Sequence, residues 1–219
     1  MATLKNGILG GVSGKIGNVV GSSWNGIDYL KTLPAHYNDA KTDVQVSNRS
    51  KFLSVIRFLQ TITAFLRVGY KSLAVKKTAF NAATAYHYHN AVSGDYPDII
   101  IDYPKVIVSR GSLTGAYNAV ATSTEAAKIQ LSWANNSEDG TAKADDIAMV
   151  VVYHPLLKDA YYTLNAGSRS DLGAAITLPQ SYSGGEAHVY LGFMALGALS
   201  SQATKAVSNS TYVGAVTVI

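Results

Sequence analysis

Cysteine does not occur in the 219 residues. Disulfides, thiolate metal sites and cysteine nucleophiles are therefore excluded. Charge is scarce as well, at 15% of residues against 47% apolar. A disordered chain would be less apolar and more charged, so the composition implies a packed fold. A surface so poor in charge also suits a protein that packs against copies of itself. No run of about 18 apolar residues is present, so no membrane span is expected. The opening MATLKNGILGG lacks the apolar core of a secretory signal. The expectation is a chain made in the cytoplasm without a signal peptide, with a particle or extracellular assembly as a final location.

Acidic residues are nearly missing from the first half. Residues 1–94 hold eleven Lys and Arg against three Asp, a net of +8. Residues 95–219 hold seven basic against eleven acidic residues, a net of −4, and the two halves give the overall +4. SGDYPDIIIDYPKV carries Gly94, Pro97 and Pro104 at this change of sign. Proline discourages helix there. The predicted organisation is thus residues 1–100 as a Gly-rich arm, hairpin and basic helical region, and residues 101–219 as a β-sandwich.

Glycine is what the N-terminus has in quantity. GILGGVSGKIGNVVGSSWNG, residues 7–26, contains seven. A phosphate-binding loop would read G-x-x-x-x-G-K-[ST]. Here Gly10 precedes Gly14-Lys15 by one residue too few, and Ile16 stands where Ser or Thr would meet magnesium. The preferred reading is a bend-rich, flexible arm, with Gly7, Gly10, Gly11, Gly14 and Gly17 supplying turns and close backbone approach to a neighbouring surface. Asn25-Gly26 then marks a hairpin over residues 18–31, with Val20, Ser22 and Trp24 leading in and Ile27, Tyr29 and Lys31 leading out. Trp24, at the tip, is expected to be buried by a neighbouring element or subunit.

A helix follows. Thr42 and Gln45 have capping-box spacing. Phe52, Val55, Phe58, Leu59, Ile62, Phe65 and Leu66 gather on one arc at 100° per residue. Arg49, Arg57, Arg67 and Lys71 gather opposite them as a basic stripe. The pattern predicts one helix of roughly 28 residues, about 42 Å long. A second helix is predicted from Ala79 to Val92, capped by Thr78 and stopped by Gly94. His87 and His89 would point about 200° apart on it, so they hold no metal together and read as surface or interface histidines. Glu138-Asp139 and Asp145-Asp146 read as a solvated turn in preference to a calcium loop.

Beyond Lys105 the period becomes two. KVIVS, KIQLSWA, DIAMVVVYH, AYYTL, AAITLP, EAHVYLGFMAL and TYVGAVTVI are strand-like, separated by turn clusters such as NNSEDGTAKADD. About seven strands with a Trp at position 133 predict an antiparallel sandwich of fibronectin III or immunoglobulin kind. Ile129, Leu131 and Trp133 alternate with polar or small residues, which places Trp133 in the core. The fold class is therefore α+β: a hairpin, two helices (one long), then the sandwich.

The segments GVSGKIGN (residues 11–18) and GEAHVYLGF (185–193), with Gln45, Arg49 and Phe52 at the start of the long helix and a late TYVG, resemble a family of uncharacterised, roughly 200-residue Bacteroidota proteins. The resemblance covers nearly the whole chain and implies a shared fold. Its motifs are glycines, aromatics and apolar patterns, so it implies no activity, cofactor or catalytic residue. No nucleophile elbow is present either. The functional expectation is a non-enzymatic self-assembly protein, a subunit of a filament, tube, shell or phage-like particle, whose partners are copies of itself. The alternative is a module that binds nucleic acid or another polyanion through Arg49, Arg57, Arg67 and Lys71.

Overall fold

The structure, a computed structural model, describes residues 2–4, 7, 10–24, 26–34, 36, 39–196 and 207–219. It divides into two compact units, 1–42 and 43–219. The boundary thus falls earlier than the change of charge near residue 100, because the helices bury their apolar face against the C-terminal sheet.

The first unit is an antiparallel meander of β1 (Thr3–Leu4), β2 (Val12–Ile16), β3 (Val19–Trp24) and β4 (Ile27–Thr32), in that spatial order. The expected hairpin is present, with Trp24 opposite Ile27 and Gly26 at φ +88°. Its other turn residue, Asn25, lies outside the described residues. The glycine-rich segment is not the bend-rich arm its composition suggested. Ile16 pairs with Val19 across a Gly17-Asn18 loop in which Gly17 has φ +56°. Gly-Asn between two apolar runs is itself a two-residue hairpin signal.

The second unit begins with α1 (Asp43–Gln60), α2 (Thr63–Gly69) and α3 (Ala79–Asn90). The expected single long helix is broken, since α1 and α2 meet at 87°. Hydroxyls cause the break. Thr61 Oγ1 donates to the Phe58 carbonyl at 2.7 Å, and Thr63 Oγ1 to that of Gln60 at 3.0 Å. The Thr61 and Ile62 amides tighten to i−3 carbonyls. Side-chain capture of main-chain acceptors thus ends the α-helical ladder there. Among the described residues no single helix is long and apolar enough to cross a membrane. α3 starts as expected, with Thr78 Oγ1 accepting from the Asn81 amide at 3.1 Å.

Residues 91–219 carry β5 (Val92–Ser93), β6 (Ile100–Ile101), β7 (Tyr117–Thr122), β8 (Lys128–Ala134), β9 (Ile147–His154), β10 (Asp159–Thr163), β11 (Gly173–Thr177), β12 (Glu186–Met194) and β13 (Thr211–Thr217). Six of the seven predicted strand segments are strands. KVIVS is not one: its Val106 and Val108 are buried, but the Val108 amide donates to Ser210 Oγ at 2.8 Å instead of to a ladder. β7 was not anticipated, because its inward residues, Ala119 and Ala121, are small.

Two larger antiparallel sheets result, ordered β10-β9-β12-β13 and β11-β8-β7, beside the short β5-β6 pair. Ile129, Leu131 and Trp133 of β8 share one core with Val150 and Val152 of β9 and Val189, Leu191 and Phe193 of β12. The opposite face of the larger sheet, through Met149, Val151, Tyr153, Tyr190 and Met194, packs on Phe58, Leu59, Phe65, Leu66 and Ala83 of the helices. The central strands β9 and β12 are therefore buried on both faces. That is why AMVVV and VYLGF read as continuous apolar runs and not as alternating ones.

Candidate interaction surfaces

In the first unit, Gly10 donates its amide to the Gly7 carbonyl at 3.0 Å, Gly14 sits in β2 opposite Gly21, and Gly17 turns the chain into β3. Gly14-Lys15 opens no helix, so the segment has no phosphate-loop geometry. A methyl group on Gly21 would overlap the Val12 carbonyl oxygen, and one on Gly11 would overlap the Asp28 carboxylate. These glycines serve strand-to-strand approach.

The register puts Trp24, Ile27 and Tyr29 on one face, and Leu4, Ile16 and Leu30 on the other. Trp24 is 70% exposed, Ile27 66%, Leu30 62%, Ile16 55% and Leu4 53%. Among the described residues of this unit only Gly21 is buried. β4 forms one edge of the sheet, and all six of its residues are exposed.

The residues of the basic stripe are all exposed, but they do not form one line. Arg49 and Arg57 lie on α1, Arg67 lies on α2 beyond the bend, and Lys71 lies in the following helical turn. α1 accounts for about 27 Å of the expected 42 Å at 1.5 Å per residue. Arg57 instead faces a groove of about 790 Å³ whose other lining includes Phe58, Ile100, Tyr103, Tyr153 and Lys158. Burial first, then Tyr103 and Asp159, push the Tyr153 hydroxyl up to about 12, so it remains a protonated donor.

Of the histidines and acids expected at the surface, His89, Glu138, Asp139 and Asp145 are exposed, whereas His87 and Asp146 are internal. His87 is buried between Phe58, Tyr70 and Tyr86, with Nδ1 donating to the Ala83 carbonyl at 2.7 Å and Nε2 unpartnered. Desolvation lowers its pKa to about 4, so it is neutral. His89 is exposed, and the two do face apart. His154 and His188 are buried, and the His188 ring stacks on Tyr103 at 3.8 Å.

Asp146 belongs to no solvated turn. It is buried against Arg169, whose Nε donates to Oδ2 at 3.1 Å. The same guanidinium donates to Asn136 Oδ1 at 2.6 Å, to the Thr114 carbonyl at 2.8 Å and to that of Gly115 at 3.1 Å, and lies 3.8 Å above the Phe193 ring. Trp133 Nε1 donates to the Arg169 carbonyl at 2.9 Å, so the tryptophan is in the core as expected. Nothing near Arg169 in the sequence announces this pairing across 23 residues. Among the described residues no group of three or more His, Cys, Asp or Glu side chains could hold a metal ion.

Fold and surfaces together define an α+β protein with one well-buried unit and one thin, apolar, exposed sheet. The chain belongs to a family of unknown function, DUF6266, whose model matches residues 11–214. No curated protein matches it.

Proposed function

We propose that this protein is a non-enzymatic structural subunit that assembles with copies of itself through its N-terminal sheet. The supporting observation is the meander of residues 1–42, which buries almost nothing while presenting Trp24, Ile27, Leu30, Ile16 and Leu4 to solvent. Exposed apolar patches of this kind mark association surfaces. The open edge of β4 adds unpaired main-chain donors and acceptors, and strand addition by a second copy satisfies both. Copies would meet in a filament, tube, shell or phage-like particle.

Mass photometry and negative-stain microscopy on the full chain test this. Full-length protein is expected to form ordered multimers. Deletion of residues 1–17, which removes β1 and β2, should leave a folded monomer, as should the Trp24→Ser, Ile27→Ser double variant. Trp24 emission should shift to the blue on assembly. A full-length monomer at every concentration, or a truncated chain that assembles unchanged, would sink the proposal.

The net +8 of residues 1–94 favours a second reading, polyanion binding by the basic residues of α1 and α2. Changing Arg49, Arg57 and Arg67 to Gln should then lower the salt slope of oligonucleotide binding by up to about three. A slope that does not move removes this reading.

A further inference from the structure

The groove beside the C-terminal end of α1 is a built cleft with an unassigned use. Its lining includes Phe58 of α1, Ile100 and Tyr103 from the β6 segment, and Tyr153, Pro155 and Lys158 from β9 and its turn. Its volume of about 790 Å³ falls in the range of small-molecule sites, which combine an apolar lining with a few placed polar groups.

The neutral hydroxyls on the helical wall are already used. Ser54 donates to the Ser50 carbonyl at 3.0 Å and Thr61 to that of Phe58 at 2.7 Å. The cations are not: neither the Arg57 guanidinium nor the Lys158 ammonium pairs with another described residue, and no carboxylate lines the groove. Asp102 nearby is taken by Lys105 at 2.7 Å, and Asp159 accepts from Tyr182 at 3.3 Å. Arg57 in the last turn of α1 also complements the helix dipole, but that accounts for neither Lys158 nor the apolar residues of the same lining. Lys158 holds φ +52°, a left-handed conformation that favours Gly or Asn at a turn.

We propose that this groove binds an anionic amphiphile, a carboxylate on an apolar body, with Arg57 and Lys158 holding the carboxylate and Phe58, Ile100 and Tyr153 covering the body. This site is independent of assembly through the N-terminal sheet.

Isothermal titration of the full chain with decanoate and with decanol tests the proposal. Decanoate should bind saturably and at least about ten-fold more tightly than the alcohol, the scale of one charge-assisted contact in a partly open site. The Arg57→Gln, Lys158→Gln double variant changes only exposed side chains, so its circular dichroism should match the wild type. It should lose that ten-fold preference while still binding decanol. Three results would each overturn the proposal: no saturable decanoate binding, equal affinity for acid and alcohol in the wild type, or an unchanged preference in the variant.

Discussion

His87 offers a test in which the charge state of one buried side chain sets a measurable stability. Its ring is enclosed by Phe58, Tyr70 and Tyr86, its Nδ1–H is spent on Ala83, and its Nε2 has no acceptor for a second proton. Burial accordingly lowers the pKa from 6.5 to about 4, against a smaller opposing effect of the Ala83 bond. The unfolded chain takes up a proton near pH 6.5, whereas the folded chain resists until about pH 4. In that window the unfolded state binds more protons, so stability rises with pH and falls on acidification. At about 1.4 kcal/mol per pH unit, the loss attributable to this residue by pH 4 is about 3 kcal/mol. Urea unfolding at pH 7.5 and pH 4 should be measured for the wild type and for His87→Leu. The variant should lose about 3 kcal/mol less between the two pH values. Contributions of other groups, including His188, whose pKa burial also lowers, are common to both proteins and cancel. Identical acid sensitivity in the two proteins would refute the argument, because it would mean that His87 is protonated within the fold or reaches water.

The buried pair should behave as a unit. Arg169→Leu strands Asp146 and should cost about 3–5 kcal/mol in urea unfolding, while the Arg169→Leu, Asp146→Leu double variant should cost clearly less than the two single changes together. Additive costs would mean that the pair does not couple. Trp133→Ala removes a ring packed edge-on to Phe193 at 5.6 Å and should destabilise the second unit by about 3–5 kcal/mol; a cost under about 1 kcal/mol would place the ring outside the core. Gly21→Val forces a side chain into the Val12 carbonyl. Hydrogen exchange should then accelerate in β2 and β3 and stay unchanged across 43–219; protection retained in β2 would contradict the strand pairing.

Local chemistry was legible wherever a residue acts on its near neighbours. Thr78 caps α3, the turn at Gly26 separates β3 from β4, and the alternation of KIQLSWA became β8 with Trp133 inside. The apolar arc did mark a buried helical face from Val55 to Tyr70, although Phe52 at its start is exposed. Its continuity as one rod was misread, because 100° periodicity survives a break that hydroxyl-to-carbonyl bonds at Thr61 and Thr63 impose. The glycines of residues 7–21 signalled close backbone approach, but Gly14 and Gly21 meet only across a strand pair, and the Gly17-Asn18 hairpin signal that would have separated a meander from a flexible arm was passed over.

What the amino-acid order determined alone is the charge layout, the hairpin at Gly26, α3 and six strands of the second unit, since these depend on neighbours a few positions apart. Three matters were decided only by tertiary packing. β9 and β12 are covered on both faces, which joins the helices to the sheets as one unit. Asp146 and Arg169 are drawn together in the interior, and Arg57 and Lys158 come to one groove from elements about a hundred residues apart. Each depends on contacts between distant segments, and no local period or spacing encodes which distant segment a side chain will meet.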